Sequence, residues 1–155
     1  MDATDREIVL LLQHNGRLSH EHIAQQVNLS RPAVHERIKR LEERGILRGY
    51  QAIVDWSALG LPITAFIWVR VSTDKIPCND SGQEIMHLHC QNALLVECHR
   101  VTGRWCMLFK ALVASPLALQ HLIDRIRTLP QVQETMTTMV LSTLMEQGQQ
   151  QTECQ

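Results

Sequence analysis

The stretch from Ser19 to Asp55 constrains this chain more than any other, because it reads as two short helices across a tight turn, followed by a strand. Ser19 is placed to cap a first helix carrying Ile23, Ala24 and Val27 on one face. Asn28-Leu29 makes the turn. Ser30 caps a second helix, with Pro32 in its first turn, where a missing N–H costs little. Val34, Ile38 and Leu41 recur at helical spacing, so one face of this helix is apolar. Arg31, Arg37, Lys39, Arg40 and Arg44 occupy its other faces. Gly45 ends it, and Ile46 to Asp55 is expected to continue as a strand. A short helix, a tight turn and a basic second helix together have the geometry that enters a DNA major groove.

The chain has 155 residues, 45% of them hydrophobic, enough for one large domain or two small ones with real cores. Its formal net charge is −1, so any affinity for DNA must come from local charge. From Ser30 to Arg48 six basic residues face three acidic ones, a patch of +3. A lone subunit with such a patch binds weakly, and several subunits together add their phosphate contacts. The five cysteines are odd in number and include no CxxC pair. The N-terminus, Met1 to Asp5, is acidic and runs straight into a helix, unlike a signal peptide. No apolar run approaches the roughly 18 residues that span a bilayer. These features predict a reduced, cytoplasmic protein with no membrane partner.

A first helix is expected over Asp2–His14, with Thr4-x-x-Glu7 as a capping box and Ile8, Leu11 and Leu12 as its buried stripe. With the two helices above and the following strand it makes a winged helix-turn-helix domain over residues 1–55. Residues 56–62, centred on Ala58-Leu59-Gly60-Leu61-Pro62, read as a linker. Ile63, Ala65, Ile67, Val69 and Val71 then alternate with Thr64, Phe66, Trp68, Arg70 and Ser72, a period of two. Phe66 and Trp68 make the second face apolar too. This predicts helices of the same chain on one side and a partner subunit on the other. A helix over 81–91, strands over 93–101 and 105–114 joined by Thr102-Gly103-Arg104, a helix from Ser115-Pro116 to Pro130 and a strand over 132–145 follow. The order β-α-β-β-α-β is ferredoxin-like, giving an α+β chain whose second domain covers 63–146. The polar residues 147–155 are expected to form a flexible tail.

Residues spread along the chain match one family. Asp5-Arg6-x-Ile8, Gly16-Arg17-Leu18-Ser19, Ile23-Ala24, Leu29-Ser30, Val34, Arg37-Ile38, Leu41-Glu42, Gly45-Ile46, Tyr50-x-Ala52, Asp55 and Leu59-Gly60 stand in the first part. Val101-Thr102-Gly103, Leu129-Pro130-x-Val132, Thr135-x-Thr137 and Val140-Leu141 stand in the second. In these the chain resembles the Lrp/AsnC (feast/famine) transcriptional regulators from about Asp2 to Met145. The resemblance implies an N-terminal helix-turn-helix joined to an effector-binding domain similar to an ACT domain. It also implies subunits paired through their sheets and assembled further, often to octamers. Amino acids would bind between subunits near the turn that Val101-Thr102-Gly103 occupies. The chain departs from the family where an acidic-aromatic run usually follows that glycine, for it reads Arg104-Trp105-Cys106-Met107. Arg104 reverses the local charge. That argues against a simple α-amino acid in the usual pose and leaves a different ligand, an anionic one included, or none.

The candidate DNA contacts are Ser30, Arg31, Pro32, Ala33, Glu36, Arg37, Lys39, Arg40 and Arg44. Arg37 leads for base contact, since a guanidinium reads guanine through two hydrogen bonds. Ser30, Arg31, Lys39, Arg40 and Arg44 suit phosphates, with Arg48 a weaker candidate on the strand. Glu36 can accept from cytosine or repel misplaced phosphates. The candidate effector contacts are Thr102, Gly103, Arg104, Trp105, Thr135 and Thr137. His87-Leu88-His89-Cys90 and Cys98-His99 lack zinc spacing, so no metal, cofactor or catalytic residue is expected. Two other readings compete. One is an enzyme like the siroheme decarboxylases built on a similar scaffold, against which the run Arg48-Gly49-Tyr50-Gln51-Ala52 speaks. The other is a metabolite-binding module that has lost DNA binding.

Overall fold

In the computed structural model the described residues are 1–72, 78–146 and 149–150. They form two compact units, one built on Met1–Ile53 and the other on Val54–Thr143; the described residues beyond Thr143 fall with the first. No helix among the described residues is long and apolar enough to cross a membrane.

The first unit holds α1 (Ala3–His14), α2 (His20–Gln26) and α3 (Arg31–Glu43). The Asp2 carboxylate accepts from the Asp5 N–H at 2.7 Å, and the Asp5 carboxylate accepts from the Asp2 N–H at 3.1 Å. The capping box is therefore Asp2-x-x-Asp5 rather than Thr4-x-x-Glu7, because Thr4 already lies inside the helix. Ser19 caps α2 and Ser30 caps α3, as their positions before the helices predict. α2 and α3 end alike. A residue at positive φ follows each cap, Asn28 at 52° and Gly45 at 67°. The next N–H then bonds back to the helix, Leu29 to the Ala24 carbonyl and Ile46 to the Leu41 carbonyl. Ile8 and Leu12 of α1, Ile23, Ala24 and Val27 near α2, and Val34, Ile38 and Leu41 of α3 form one buried cluster.

Ile46 to Asp55 is not a strand. Its apolar residues suit an extended chain, but a ladder needs a second strand, and among the described residues none lies beside it. Tyr50 and Ile53 stay exposed.

In the second unit β1 (Ile63–Val71), α4 (Cys78–Met86), β2 (Ala93–Arg100), β3 (Met107–Val113), α5 (Pro116–Arg127) and β4 (Val132–Met139) form a βαββαβ unit. Its antiparallel sheet has the order β2-β3-β1-β4. Ala65, Ile67, Val69 and Val71 of β1 face a core completed by Ile85 of α4 and Leu119, Leu122 and Ile126 of α5. The pattern along β1 is buried on this side and half-buried at Phe66 and Trp68 on the other. A bulge at Val96 interrupts β2, so Leu95 opposes Ala111 while Glu97 opposes Lys110.

The limits of α4, β3 and β4 differ from the sequence expectation. α4 starts at Cys78 and stops at Met86, where Leu88 N–H turns back to the Ile85 carbonyl and Asn92 takes a φ of 62°. β3 begins at Met107, because Trp105 and Cys106 belong to the loop closed by the Val101 N–H on the Cys106 carbonyl. β4 ends at Met139, opposite Ala65, and just beyond it the Val140 N–H still donates to the Thr64 carbonyl at 2.9 Å. Met145–Glu146 (β5) pairs instead with Gln149–Gln150 (β6), so the predicted tail is ordered there; its residues 147–148 and 151–155 lie outside the described residues.

Phe109 is fully buried in the second unit. Phe109→Ala should therefore lower stability by about 3–5 kcal/mol, read from the denaturant midpoint of the full chain.

Candidate functional site

The buried stripe of α3 decides what its other faces can do. With Val34, Ile38 and Leu41 inward, Ser30, Arg31, Pro32, Glu36, Lys39, Arg40 and Arg44 are exposed, as are His35, Glu42 and Glu43, and Ala33 is half-buried. These predicted DNA contacts are accessible but spread around the exposed faces of the helix. Lys39 also reaches Glu43 one turn on, at 3.8 Å.

Arg37 is placed differently. Helix geometry sets it roughly 70° from the centre of the buried stripe, where Glu36 and Arg40 are well over 100° away. Its Nη1 donates to Asp2 Oδ2 at 2.7 Å and to Asp5 Oδ1 at 2.6 Å. The side chain is only 23% exposed. The leading base-contact candidate is thus held against α1 by two carboxylates. The Asp5 N–H first, then Arg37, hold the Asp2 carboxyl below its usual range. The Asp2 N–H and then Arg37 do the same for Asp5. The hydrogen bonds to Asp2 and Asp5 raise Arg37 in turn. All three groups are therefore ionised at neutral pH, and the cluster carries a net −1.

The sequence reading missed Asp2 and Asp5 as partners of Arg37. The signal was present as an Asp-x-x-Asp spacing at the helix start. It also missed Tyr50, whose hydroxyl donates to Glu42 at 2.9 Å, and the His20 and His35 rings, 5.3 Å apart across α2 and α3. Tyr50 packs closely over Gly16, where an added Cβ would meet its ring at 3.3 Å.

In the second unit Gly103 turns the β2–β3 loop with a φ of 98°, and Thr102, Gly103 and Arg104 are exposed. Arg104 lies over the Trp105 ring at 5.3 Å and donates to Glu134 of β4. Arg70 of β1 binds the other oxygen of Glu134 at 2.9 Å. A carboxylate therefore does stand beside the turn. It comes from β4 rather than from the loop, and two guanidinium groups hold it. Sequence reading could not see this, because the register Arg70↔Glu134 joins residues far apart in the chain. Thr135 and Thr137 oppose Val69 and Ile67, so they share the helix-covered face of the sheet. The structure thus joins Arg104 to both Glu134 and the Trp105 ring but sets the two threonines on the other face.

Cys98 opposes Phe109 on the helix side, next to Gly82, while His99 meets Glu97 on the open face at 3.0 Å. His87 and His89 lie beyond the end of α4. Among the described residues no three His, Cys, Asp or Glu side chains converge as a metal site would need.

Family models match both parts of the chain: an AsnC-type helix-turn-helix domain over residues 1–42 and an Lrp/AsnC ligand binding domain over residues 64–150. The HTH-type transcriptional regulator FL11 of Pyrococcus horikoshii is 31% identical over 143 residues, covering 92% of this chain and 91% of that protein. LrpA of Mycobacterium tuberculosis is 32% identical over 143 residues, with the same coverage of both chains. Among solved structures, a feast or famine regulatory protein from M. tuberculosis complexed with L-methionine superposes with a TM-score of 0.85 at 32% identity. The match covers 96% of this chain and 97% of that one. A Neisseria meningitidis transcriptional regulator in complex with L-methionine gives 0.85 at 27% identity, covering 94% and 93%.

The Asp2–Asp5–Arg37 cluster predicts a pH dependence. Both carboxyls are lowered on folding, so their stabilisation is complete above the ordinary value of 3.8 and is lost as pH falls through the lowered values. Melting of the full chain from pH 6 to 2 should fall more steeply for the native sequence than for D2N/D5N. Equal slopes would remove the cluster from the acid response.

Proposed function

The chain belongs to the Lrp/AsnC family of HTH-type transcriptional regulators, and from that premise we propose how it reads DNA and what modulates it. α3 enters the major groove. Ser30, Arg31, Lys39, Arg40 and Arg44 engage phosphates, while Pro32, Ala33 and Glu36 reach base edges, Glu36 by accepting from a cytosine amine. The observation that carries this reading is the Ser30-capped helix whose buried stripe leaves those side chains in solvent.

In this reading the protein acts as a dimer on a roughly palindromic site, with its two α3 helices about one duplex turn apart. The open sheet face supports such pairing. It carries half-buried Phe66 and Trp68, with exposed Met136 opposite Trp68, apolar groups suited to a second copy. Further assembly, to an octamer, would add phosphate contacts to a modest local charge. A small-molecule effector of amino-acid type would act near Thr102, Gly103, Arg104 and Trp105, and there bias the spacing of the DNA-binding units. Two neighbours are complexed with L-methionine, which supports an amino-acid effector. The Arg70–Glu134–Arg104 arrangement gives the ligand's charged ends both signs to meet. The named relatives are regulators, and we assign this chain the same non-enzymatic role, in the cytoplasm, where bacterial and archaeal DNA lies.

The test is a titration of the full chain on its own promoter region against scrambled DNA at two salt concentrations, repeated with each amino acid. Promoter-selective, salt-sensitive binding is expected, and equal weak binding to both would count against it. Arg40→Ala should weaken both DNAs alike and reduce the salt slope by about 0.9. Glu36→Ala should instead relax preference at one operator position by about 1–3 kcal/mol. Selection of operator variants by the two mutants would separate these roles.

A further inference from the structure

The Arg37 cluster lies on the flank of the helix that would enter DNA. Arg37 is one turn from Arg40 and two from Arg44, both exposed. Its guanidinium would be a third cation on that side. Instead it is bound at 2.7 and 2.6 Å by two carboxylates from the start of α1. Those carboxylates have a second role, since each also caps α1 through the other's N–H. The geometry is therefore over-determined. Releasing Arg37 would require the capping box to give up its charge partner.

We propose that Asp2 and Asp5 act as an electrostatic brake on DNA binding. They withhold Arg37 from the phosphate backbone. The brake weakens attachment to any duplex in which α3 is not seated in its groove, so it raises the ratio of specific to non-specific binding. This rests on the DNA-binding reading above and adds to it a determinant at the start of α1. Such a determinant differs from a purely structural tie in the sign of its effect. Loss of a structural tie weakens binding to every DNA, whereas loss of a brake strengthens binding to the wrong one.

D2N/D5N in the full chain tests it. Asparagine still caps a helix, so the variant removes charge while keeping the hydrogen-bonding shape at α1. Affinity for scrambled duplex should rise, and the slope of log affinity against log salt should steepen by about 0.9 for the one cation released. The gain seen at about 50 mM salt should shrink roughly three- to fourfold by about 200 mM. Operator binding should gain less, lowering the specificity ratio. Adding Arg37→Ala to D2N/D5N should cancel the extra slope. A folded D2N/D5N with native affinity and slope on scrambled DNA, or one weakened on both DNAs, overturns the proposal. If the double variant does not fold, D2N carries the test. It leaves the Asp5–Arg37 pair in place, and a smaller rise of the same sign is expected; no rise overturns the brake. A native protein that binds neither duplex would sink the DNA-binding reading and this inference together. Native binding without a gain in the variant sinks the brake alone.

Discussion

The burial of Val34, Ile38 and Leu41 decides the chemistry of the first unit. Once these three side chains are inside, helical geometry assigns every other residue of α3 a direction. Arg40 and Glu36 are sent outward, and Arg37 is sent to the border with α1. Caps and positive-φ turns at both ends then hold the helix to one length. The basic residues act as a surface because an apolar stripe has already chosen their orientation.

The sheet unit applies the same logic with period two. β1 sits between β3 and β4, and its alternation sorts both of its neighbours through their registers. Glu134 lies beside Arg104 because it opposes Arg70, and Thr135 faces the helices because it opposes Val69. The candidate effector region is thus assembled by register, with the β2–β3 turn laid against the end of two other strands.

Features that depend on neighbours in sequence were legible. Ser19, Ser30 and Ser115 were visible as caps, Gly45 as a stop, and the alternation of β1 as a strand. Features that depend on a distant partner were not. The tie between Arg37 and Asp2, 35 positions away, leaves no mark on the local pattern. Ile46–Asp55 has the composition of a strand, yet pairing is a property of two segments and the sequence describes one. β4 likewise stops at Met139, opposite Ala65, although its own residues favour extension to Met145.

The bulge at Val96 has a consequence for how this chain can change length. Leu95 and Cys98 both face the helices, although an uninterrupted strand would put residues three apart on opposite faces. The extra residue is absorbed at an edge strand, where only one neighbour must adjust. Removing Val96 would join Leu95 to Glu97 in regular register and leave every later side chain on its present face. The second strand can thus shorten by one residue without turning the sheet inside out, a latitude the central β1, paired on both sides, does not have.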